Sequence, residues 1–210
     1  MKISVIHATR GRVEKALETR ELFMMKARFP ENVEYIFAVD SDDEESVKGI
    51  PGAVISEAPS TCIKAWNEGA LKSTGDVIML VSDDMVPPIY WDALIEQQFE
   101  PYGDAPKCLW VSDGHRTDDL IVWVIQTRSR YLSQVHDGKP YMFYPGYHGV
   151  YADNEYTARA RKDGVVIDAR HIVFEHEHPS FGTAEWDETY RRQNADARFE
   201  EGRKLFELRN

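Results

Sequence analysis

Two adjacent carboxylates, Asp83 and Asp84, directly follow the continuous apolar run 77–81. Carboxylates this close repel each other unless a cation, a proton or an arginine lies between them. Mg²⁺ and Mn²⁺ prefer carboxylate oxygens and often take further ligands from substrate phosphates. The apolar run is typical of a strand buried on both faces. We therefore expect the pair to mark a divalent-cation site at the end of that strand rather than an exposed acidic turn.

A histidine pair, His176 and His178, follows the apolar stretch 172–174. Residues two apart in an extended chain point to the same side, so both imidazoles could face one site. A neutral imidazole can complete the coordination of a cation that carboxylates already hold. The alternative is a solvent-exposed pair beside Pro179, and the spacing does not choose which histidine would be the ligand.

Asp153, Arg10 and Arg12 are further candidates, and each has a plain structural alternative. Asp153 opens a predicted helix after a loop that contains Gly149, where it could act as a general base or merely cap the helix. Arg10 and Arg12 flank Gly11 just after the first predicted strand. Arginine binds phosphate oxygens through paired hydrogen bonds, although two solvated arginines before a helix would show the same spacing.

The elements that must position these residues alternate along the first half of the chain. Predicted strands cover residues 3–6, 34–39, 53–55 and 77–81, and predicted helices cover residues 13–29 and 61–72. This order predicts an α/β fold with a doubly wound, mostly parallel central sheet and flanking helices. In such sheets ligands bind beyond the carboxyl ends of the strands, where residues 9–12, 40–43 and 82–84 fall.

The second half of the chain is less regular. We predict helices over residues 91–99 and 153–162 and a long charged helix from residue 183, with strands at 108–111, 120–125, 165–167 and 172–174. The aromatic stretch 141–149 is typical of a binding loop. We expect a single domain over residues 1–182, with a nucleotide-binding half (1–85) and an acceptor half (86–182), followed by a C-terminal helical extension (183–210).

The composition excludes some functions. The chain has 210 residues, 42% of them hydrophobic, and a formal net charge of −11 at pH 7. The negative charge disfavours sequence-independent binding of nucleic acid without excluding a local basic groove. No apolar run reaches the roughly 18–20 residues of a membrane helix, and the first residues do not resemble a signal peptide. We therefore expect a cytoplasmic protein that does not contact membranes.

Taken together, the motifs resemble those of GT-A fold glycosyltransferases, in particular family 2 and its small soluble members of phage or bacterial type. The resemblance covers roughly the first 180 residues and rests on the order of the motifs. They are the strand and loop 4–12, Asp40, Asn67, the segment 73–76, the acidic pair before Pro87-Pro88, and the segments 152–159 and 174–179. The sequence departs from the family pattern at Ala8, where proline is common, and at Ser82 and Ala152, where an acidic residue is usual.

The resemblance implies a role for each matching residue. It assigns the cation to Asp84, with His176 or His178 as a further ligand, and the catalytic base to Asp153. It assigns donor binding to Thr9, Arg10, Arg12, Asp40, Asn67 and Asp83. For the acceptor we add Trp123, Tyr147 and His148, because sugar rings stack on aromatic faces. The alternative, a place in the hydrophobic core, is favoured for Trp123 and suits Tyr147 as well as an acceptor site does.

The function that follows is metal-dependent transfer of a sugar from a nucleotide-diphosphate sugar to an acceptor hydroxyl, with inversion at the anomeric carbon. Mn²⁺ or Mg²⁺ is the expected cofactor, a UDP-sugar the favoured donor, and the acceptor a soluble molecule of unassigned class. One alternative is a nucleotidyltransferase, although the loop 7–12 contains a single glycine where a triphosphate cradle is usually rich in them. The others are a retaining transferase of the same fold and a non-catalytic protein that binds nucleotide-sugars or carbohydrates.

Overall fold

A computed structural model describes residues 1–210, apart from the side chain of Gln193. The strands are β1 (Ile3–Thr9), β2 (Val33–Asp40), β3 (Val54–Ser56), β4 (Val77–Val81), β5 (Met85–Val86), β6 (Cys108–Ser112), β7 (Ile125–Thr127), β8 (Val135–His136), β9 (Lys139–Pro140), β10 (Val166–Val173) and β11 (Glu175–His176). The helices are α1 (Val13–Lys26), α2 (Glu44–Gly49), α3 (Cys62–Ala70), α4 (Trp91–Phe99), α5 (Arg128–Ser133), α6 (Ala152–Lys162), α7 (Glu188–Gln193) and α8 (Asp196–Arg209).

Seven strands form the central sheet in the order β10-β6-β7-β4-β1-β2-β3. Strand β1 pairs in parallel with β2 and β4, and β2 pairs in parallel with β3. Strand β10 pairs in parallel with β6, whereas β7 runs antiparallel between β4 and β6. The mostly parallel sheet with flanking helices confirms the predicted fold class.

Strand β4 lies in the middle of this sheet, and all five of its residues are buried. Its side chains alternate between two hydrophobic clusters, one on each face of the sheet. Met79 belongs to the cluster that includes Trp91 and Phe174, and Ile78 to the cluster that includes Tyr156. A strand covered on both faces must be apolar at every position, which explains the uninterrupted run seen in the sequence.

Local sequence signals place α3 against the sheet. Thr61 caps the helix by accepting a hydrogen bond from the amide of Lys64, and one face of the helix is buried. A Cβ at Gly69 would lie 2.5 Å from the side chain of Ile6 on β1. Glycine at this position therefore lets the helix approach the strand closely.

Two strand predictions in the second half of the chain are wrong. Residues 120–124 are not a strand, since the ladder with β4 starts at Ile125. Instead this stretch is a buried loop, in which the Trp123 indole donates to the carbonyl of Phe174. The two short strands predicted at 165–167 and 172–174 are one strand, β10, with a register shift after Asp168.

The long helix predicted from residue 183 is two helices, α7 and α8. Asp187 caps α7 by accepting a hydrogen bond from the amide of Tyr190, so the first helix starts later than predicted. Ala195 has an extended backbone, which separates α7 from α8. In the part of the chain that the structure describes, no helix is both apolar and long enough to span a bilayer.

Candidate active site

A cavity of about 310 Å³ opens beyond the carboxyl ends of β1, β2 and β4. Parallel strands present their carboxyl ends at one edge of the sheet, so side chains that are distant in sequence meet there. Ten of the residues predicted from the sequence line this cavity: Thr9, Arg10, Arg12, Asp40, Asp83, Asp84, Trp123, Asp153, His176 and His178.

Asp84 lies in the cavity wall with only 6% of its surface exposed. Ser82 donates a hydrogen bond to Oδ1, and the Tyr190 hydroxyl donates to Oδ2 at 3.2 Å. The Nε2 atom of His176 lies 3.4 Å from the same Oδ2. Burial by itself raises the pKa of Asp84, but the contacts with His176, Ser82 and Tyr190 outweigh it and hold that pKa well below its usual value. Asp84 is therefore an anionic carboxylate.

Strand pairing brings His176 to Asp84. Strand β11 pairs antiparallel with β5, so that His176 lies opposite Met85, the residue next to Asp84. The imidazole packs edge-on against Trp123, with the ring centroids 4.7 Å apart. Its Nδ1 atom is buried and has no hydrogen-bond partner within the described residues. Without a cation, a proton on Nε2 faces Oδ2 of Asp84, and a bound divalent cation would replace that proton as the positive charge between the two groups.

His178 is differently placed, although its ring centroid is 5.1 Å from that of His176. Its Nδ1 accepts a hydrogen bond from the amide of Ser180 at 3.1 Å. A neutral imidazole that accepts at Nδ1 carries its proton on Nε2 and has no second lone pair for a cation. Burial and the neighbouring His176 lower the pKa of His178, so the neutral form is favoured. Of the two histidines, His176 is the better ligand.

Asp83 turns away from this pair towards β1. Its Oδ1 is 2.8 Å from Nε2 of His7, and its Oδ2 accepts from the Thr9 hydroxyl at 3.3 Å. Arg12 lies 3.8 Å from Oδ2. The other nitrogen of His7, Nδ1, is 2.8 Å from the hydroxyl of Tyr35. The sequence analysis did not single out either residue. The predicted first strand ends at residue 6 and leaves His7 in the loop 7–12, whereas β1 extends to Thr9, and Tyr35 belongs to a strand with an ordinary core pattern.

The two predicted arginines carry acidic partners. Arg10 is 2.8 Å from Asp40 and also contacts Asp42, and these carboxylates raise the pKa of Arg10. Arg12 contacts Asp187 near the start of α7, and its guanidinium lies 4.1 Å above the ring of Tyr190. Both arginines are cations at the cavity wall, within a protein whose net charge is negative.

Asp153 lies in the first turn of α6, after the cap residue Tyr151, so it does not cap the helix. Burial raises the pKa of Asp153, although the amide of Asn154 donates a hydrogen bond to Oδ1 at 3.0 Å. A carboxylate with a raised pKa accepts a proton more readily than one in water. Asp153 lines the same cavity as Trp123.

Three predicted site residues lie outside the cavity wall. Asn67 accepts hydrogen bonds from the amides of Met142 and Phe143 and so ties α3 to the aromatic loop. Tyr147 is 1% exposed and belongs to the hydrophobic core. The exposed ring of His148 lies 3.0 Å from Glu201 of α8.

Within the described residues, no group of three or more histidine, cysteine or acidic side chains is arranged as a metal site. The pair Asp84 and His176 nevertheless fits a cation that takes its other ligands from a substrate. Neighbouring ligands of an octahedral ion at about 2.0–2.1 Å lie about 3 Å apart. The 3.4 Å between Oδ2 of Asp84 and Nε2 of His176 is close to that spacing.

No model of a known protein family matches the sequence, and no curated protein sequence is significantly similar to it. Solved structures are similar. TarS 1-349 from S. aureus, in complex with UDP, aligns over 83% of this chain and 59% of its own, with 15% identity and a TM-score of 0.57. This chain thus spans well under two thirds of that TarS fragment.

Two further structures align equally well. The mannosyltransferase PcManGT from Pyrobaculum calidifontis, in complex with GDP-Man and Mn²⁺, covers 83% of this chain and 56% of its own at 13% identity, with a TM-score of 0.56. Glucosyl-3-phosphoglycerate synthase from Mycobacterium tuberculosis, with Mg²⁺ and UDP, covers 84% and 72% at 12% identity, also with a TM-score of 0.56. This chain therefore has the GT-A fold, as the sequence resemblance implied.

Proposed function

We propose that this protein is a glycosyltransferase that transfers a sugar from a nucleotide-diphosphate sugar to an acceptor hydroxyl. The observation that carries the proposal is the pair Asp84 and His176, which meets at the carboxyl edge of a GT-A sheet beside an arginine-lined cavity. The mannosyltransferase structure, which contains GDP-Man and Mn²⁺, and the synthase structure, which contains UDP and Mg²⁺, support the same chemistry on this fold.

The donor would bind along the ends of β1 and β2. Arg12 faces the cavity with only 10% of its side chain exposed, and a partly desolvated guanidinium pairs strongly with phosphate oxygens. Asp40 is 5% exposed and lines the cavity at the end of β2, where it could accept hydrogen bonds from a base or ribose. Thr9, at the end of β1, lines the same wall of the cavity. We propose a UDP-sugar as the donor.

Asp84 and His176 would hold the divalent cation, Mn²⁺ or Mg²⁺. When bound, it would neutralise the negative charge that grows on the departing diphosphate. Arg12 would stabilise the same charge from the side of β1. Asp83 does not face the cation in this arrangement, because His7 and Thr9 engage its two oxygens. Its role would be to hold Arg12 in place.

Asp153 would remove the proton from the acceptor hydroxyl as that oxygen attacks the anomeric carbon. Attack from the face opposite the departing diphosphate inverts the configuration. A general base must come within about 2.6–3.2 Å of the hydroxyl, and the raised pKa of Asp153 favours proton uptake. Trp123 lines the same part of the cavity and could stack on a sugar ring.

Several finer expectations belong to this proposal. We propose that residues 1–85 bind the nucleotide, that residues 86–182 bind the acceptor, and that residues 183–210 form a helical extension of the domain. We also propose a cytoplasmic location and a soluble acceptor, with nucleic acid disfavoured by the net charge of −11.

A thermal-shift panel of nucleoside diphosphates, with and without Mn²⁺, tests donor binding first. We expect UDP together with Mn²⁺ to raise the melting temperature more than either alone, because both would meet at Asp84. The best nucleotide then defines a set of nucleotide-sugars for turnover assays, in which the anomeric configuration of the product distinguishes inversion from retention. Binding without release of nucleoside diphosphate would favour a non-catalytic protein, and no stabilisation by any nucleotide would refute the proposal.

A further inference from the structure

The residues 187–192, which we call the C-terminal strap, contribute part of the cavity wall. Thr189, Tyr190 and Arg192 all line the cavity. Most of the strap is exposed, and Tyr190, with 5% of its surface exposed, is its buried residue. Tyr190 therefore anchors the strap to the site.

Tyr190 contacts the oxygen that a cation would need. Its hydroxyl lies 3.2 Å from Oδ2 of Asp84 and 3.2 Å from the carbonyl oxygen of Glu177. Oδ2 is also the atom that lies 3.4 Å from Nε2 of His176. Since Ser82 donates to the other oxygen of Asp84, both carboxylate oxygens already accept hydrogen bonds. Together with His176, the Tyr190 hydroxyl engages Oδ2 and so leaves fewer of its lone pairs for a cation.

A second contact involves Arg12, the cation that best fits a phosphate. Asp187, at the start of the strap, pairs with Arg12 and gives it the negative charge that a phosphate would otherwise supply. The guanidinium also lies 4.1 Å above the Tyr190 ring, within the range of a cation–π interaction. The strap therefore offers an anion to the phosphate-binding residue and a proton donor to the cation-binding residue.

We propose that the strap is autoinhibitory: it occupies Arg12 and Asp84 in the absence of ligand and is displaced when the donor and its cation bind. This inference rests on the proposed function, since it requires that those two residues bind phosphate and cation. Displacing the strap breaks few buried contacts, because Tyr190 is its one buried residue. The residue that caps α7, Asp187, belongs to the strap itself.

Each of two substitutions removes one of these contacts and keeps the side-chain groups on which α7 depends. Tyr190→Phe removes the hydroxyl and keeps the ring beneath Arg12. Asp187→Asn removes the negative charge and keeps a side-chain oxygen that can cap α7. Glu188→Gln is the matched control, because it removes one charge from an exposed position of the same helix.

The first measurement is Mn²⁺ binding by the full chain, followed by electron paramagnetic resonance of the free ion. We expect Tyr190→Phe to bind Mn²⁺ roughly tenfold more tightly than the wild type, since a hydrogen bond to a charged group no longer competes. Asp187→Asn should bind UDP several-fold more tightly in the presence of Mn²⁺, and Glu188→Gln should match the wild type. Unchanged or weaker Mn²⁺ binding by Tyr190→Phe would overturn the proposal, because the hydroxyl would then support the site.

The second measurement is hydrogen–deuterium exchange of the strap before and after addition of Mn²⁺ and UDP. Displacement predicts faster exchange in residues 187–192 of the wild type. Slower exchange would mean that the strap closes over the ligand, and it too would overturn the proposal. Binding of Mn²⁺ and UDP with no response from the strap would refute this inference alone. Absence of binding by the wild type and both strap variants would refute the proposed function and this inference together.

Discussion

The chain of contacts from Tyr35 through His7 to Asp83 is the part of the site that the sequence analysis missed, and His7→Phe tests it. His7 is completely buried, and its two ring nitrogens lie 2.8 Å from the Tyr35 hydroxyl and from Asp83. Phenylalanine keeps a flat aromatic ring but makes neither hydrogen bond. The substitution therefore leaves the partly buried Tyr35 hydroxyl and the buried Asp83 carboxylate each without one partner.

The expected loss follows from these two groups. A hydrogen bond to a charged group contributes about 1.5–3 kcal/mol, and an unsatisfied buried hydroxyl costs about 1–3 kcal/mol. Asp83 keeps its contacts with Thr9 and Arg12, so the lower part of the combined range applies. We expect His7→Phe to lower the free energy of unfolding by about 3–4 kcal/mol. For a protein of this size that corresponds to a fall in Tm of roughly 6–16 °C.

The assay is urea unfolding at pH 7 of the wild type, His7→Phe, Asp83→Asn and the double variant. Groups in direct contact should show a coupling free energy of about 1–3 kcal/mol in this cycle. Tyr35→Phe is the control, because it removes only the outer hydroxyl and should cost about 1 kcal/mol. A loss below about 1 kcal/mol for His7→Phe, or additive losses in the double variant, would show that His7 does not hold Asp83.

Three further substitutions test the site and the sheet. Asp84→Asn should weaken Mn²⁺ binding at least tenfold, measured by calorimetry, and lower Tm by a few degrees because a stabilised carboxylate is lost. Asp153→Asn should lower the transfer rate by about 10²–10⁴-fold and leave UDP affinity within about twofold, since a base acts on the proton rather than on the donor. Burial raises the pKa of Glu34, but hydrogen bonds from partners such as Ser4 and Thr74 outweigh it and lower that pKa to about 2, below its ordinary value of 4.5. Glu34 should therefore stabilise the protein above pH 4.5 and lose that effect as the pH falls towards 2, so Glu34→Gln should flatten the stability profile in this window.

Each of these expectations has a result that contradicts it. Wild-type Mn²⁺ affinity in the Asp84 variant would remove that residue from the cation site. A transfer rate in Asp153→Asn equal to that of a neighbouring Asn154→Ala control would end the role of Asp153 as the base. If the Glu34 variant and the wild type lost stability in parallel between pH 4.5 and 2, the carboxylate would not carry the acid dependence; Glu31→Gln, at an exposed position, is the matched control.

The sequence by itself predicted the sheet in the first half of the chain and the edge at which the cavity opens. These features follow from local patterns: the apolar run 77–81 must be covered on both faces, and helices and strands alternate around it. The polar clusters that follow β1, β2 and β4 meet because parallel strands end at the same edge. For that reason six residues that line the cavity could be predicted without knowledge of any contact: Thr9, Arg10, Arg12, Asp40, Asp83 and Asp84.

The secondary structure of the second half was harder to predict, because an apolar stretch does not reveal which part of the chain packs against it. Residues 120–124 are as apolar as a strand, yet they form a largely buried loop in which the Trp123 indole donates to the carbonyl of Phe174. Tyr147 has the residue type of a sugar platform, but the core surrounds it. An aromatic side chain suits either place, and the choice depends on how the loop 141–149 packs.

Tertiary structure alone decided which functional groups face each other. The pairing of β5 with β11 brings His176 to Asp84, a contact between residues 92 positions apart that no local pattern encodes. The contact with the buried His7 of β1 turns Asp83 away from the proposed cation site, although Asp83 is adjacent in sequence to Asp84. Tyr190 reaches Asp84 across a sequence separation of 106 residues. Local sequence specifies periodicity and caps, whereas contacts of this range depend on how the chain packs as a whole.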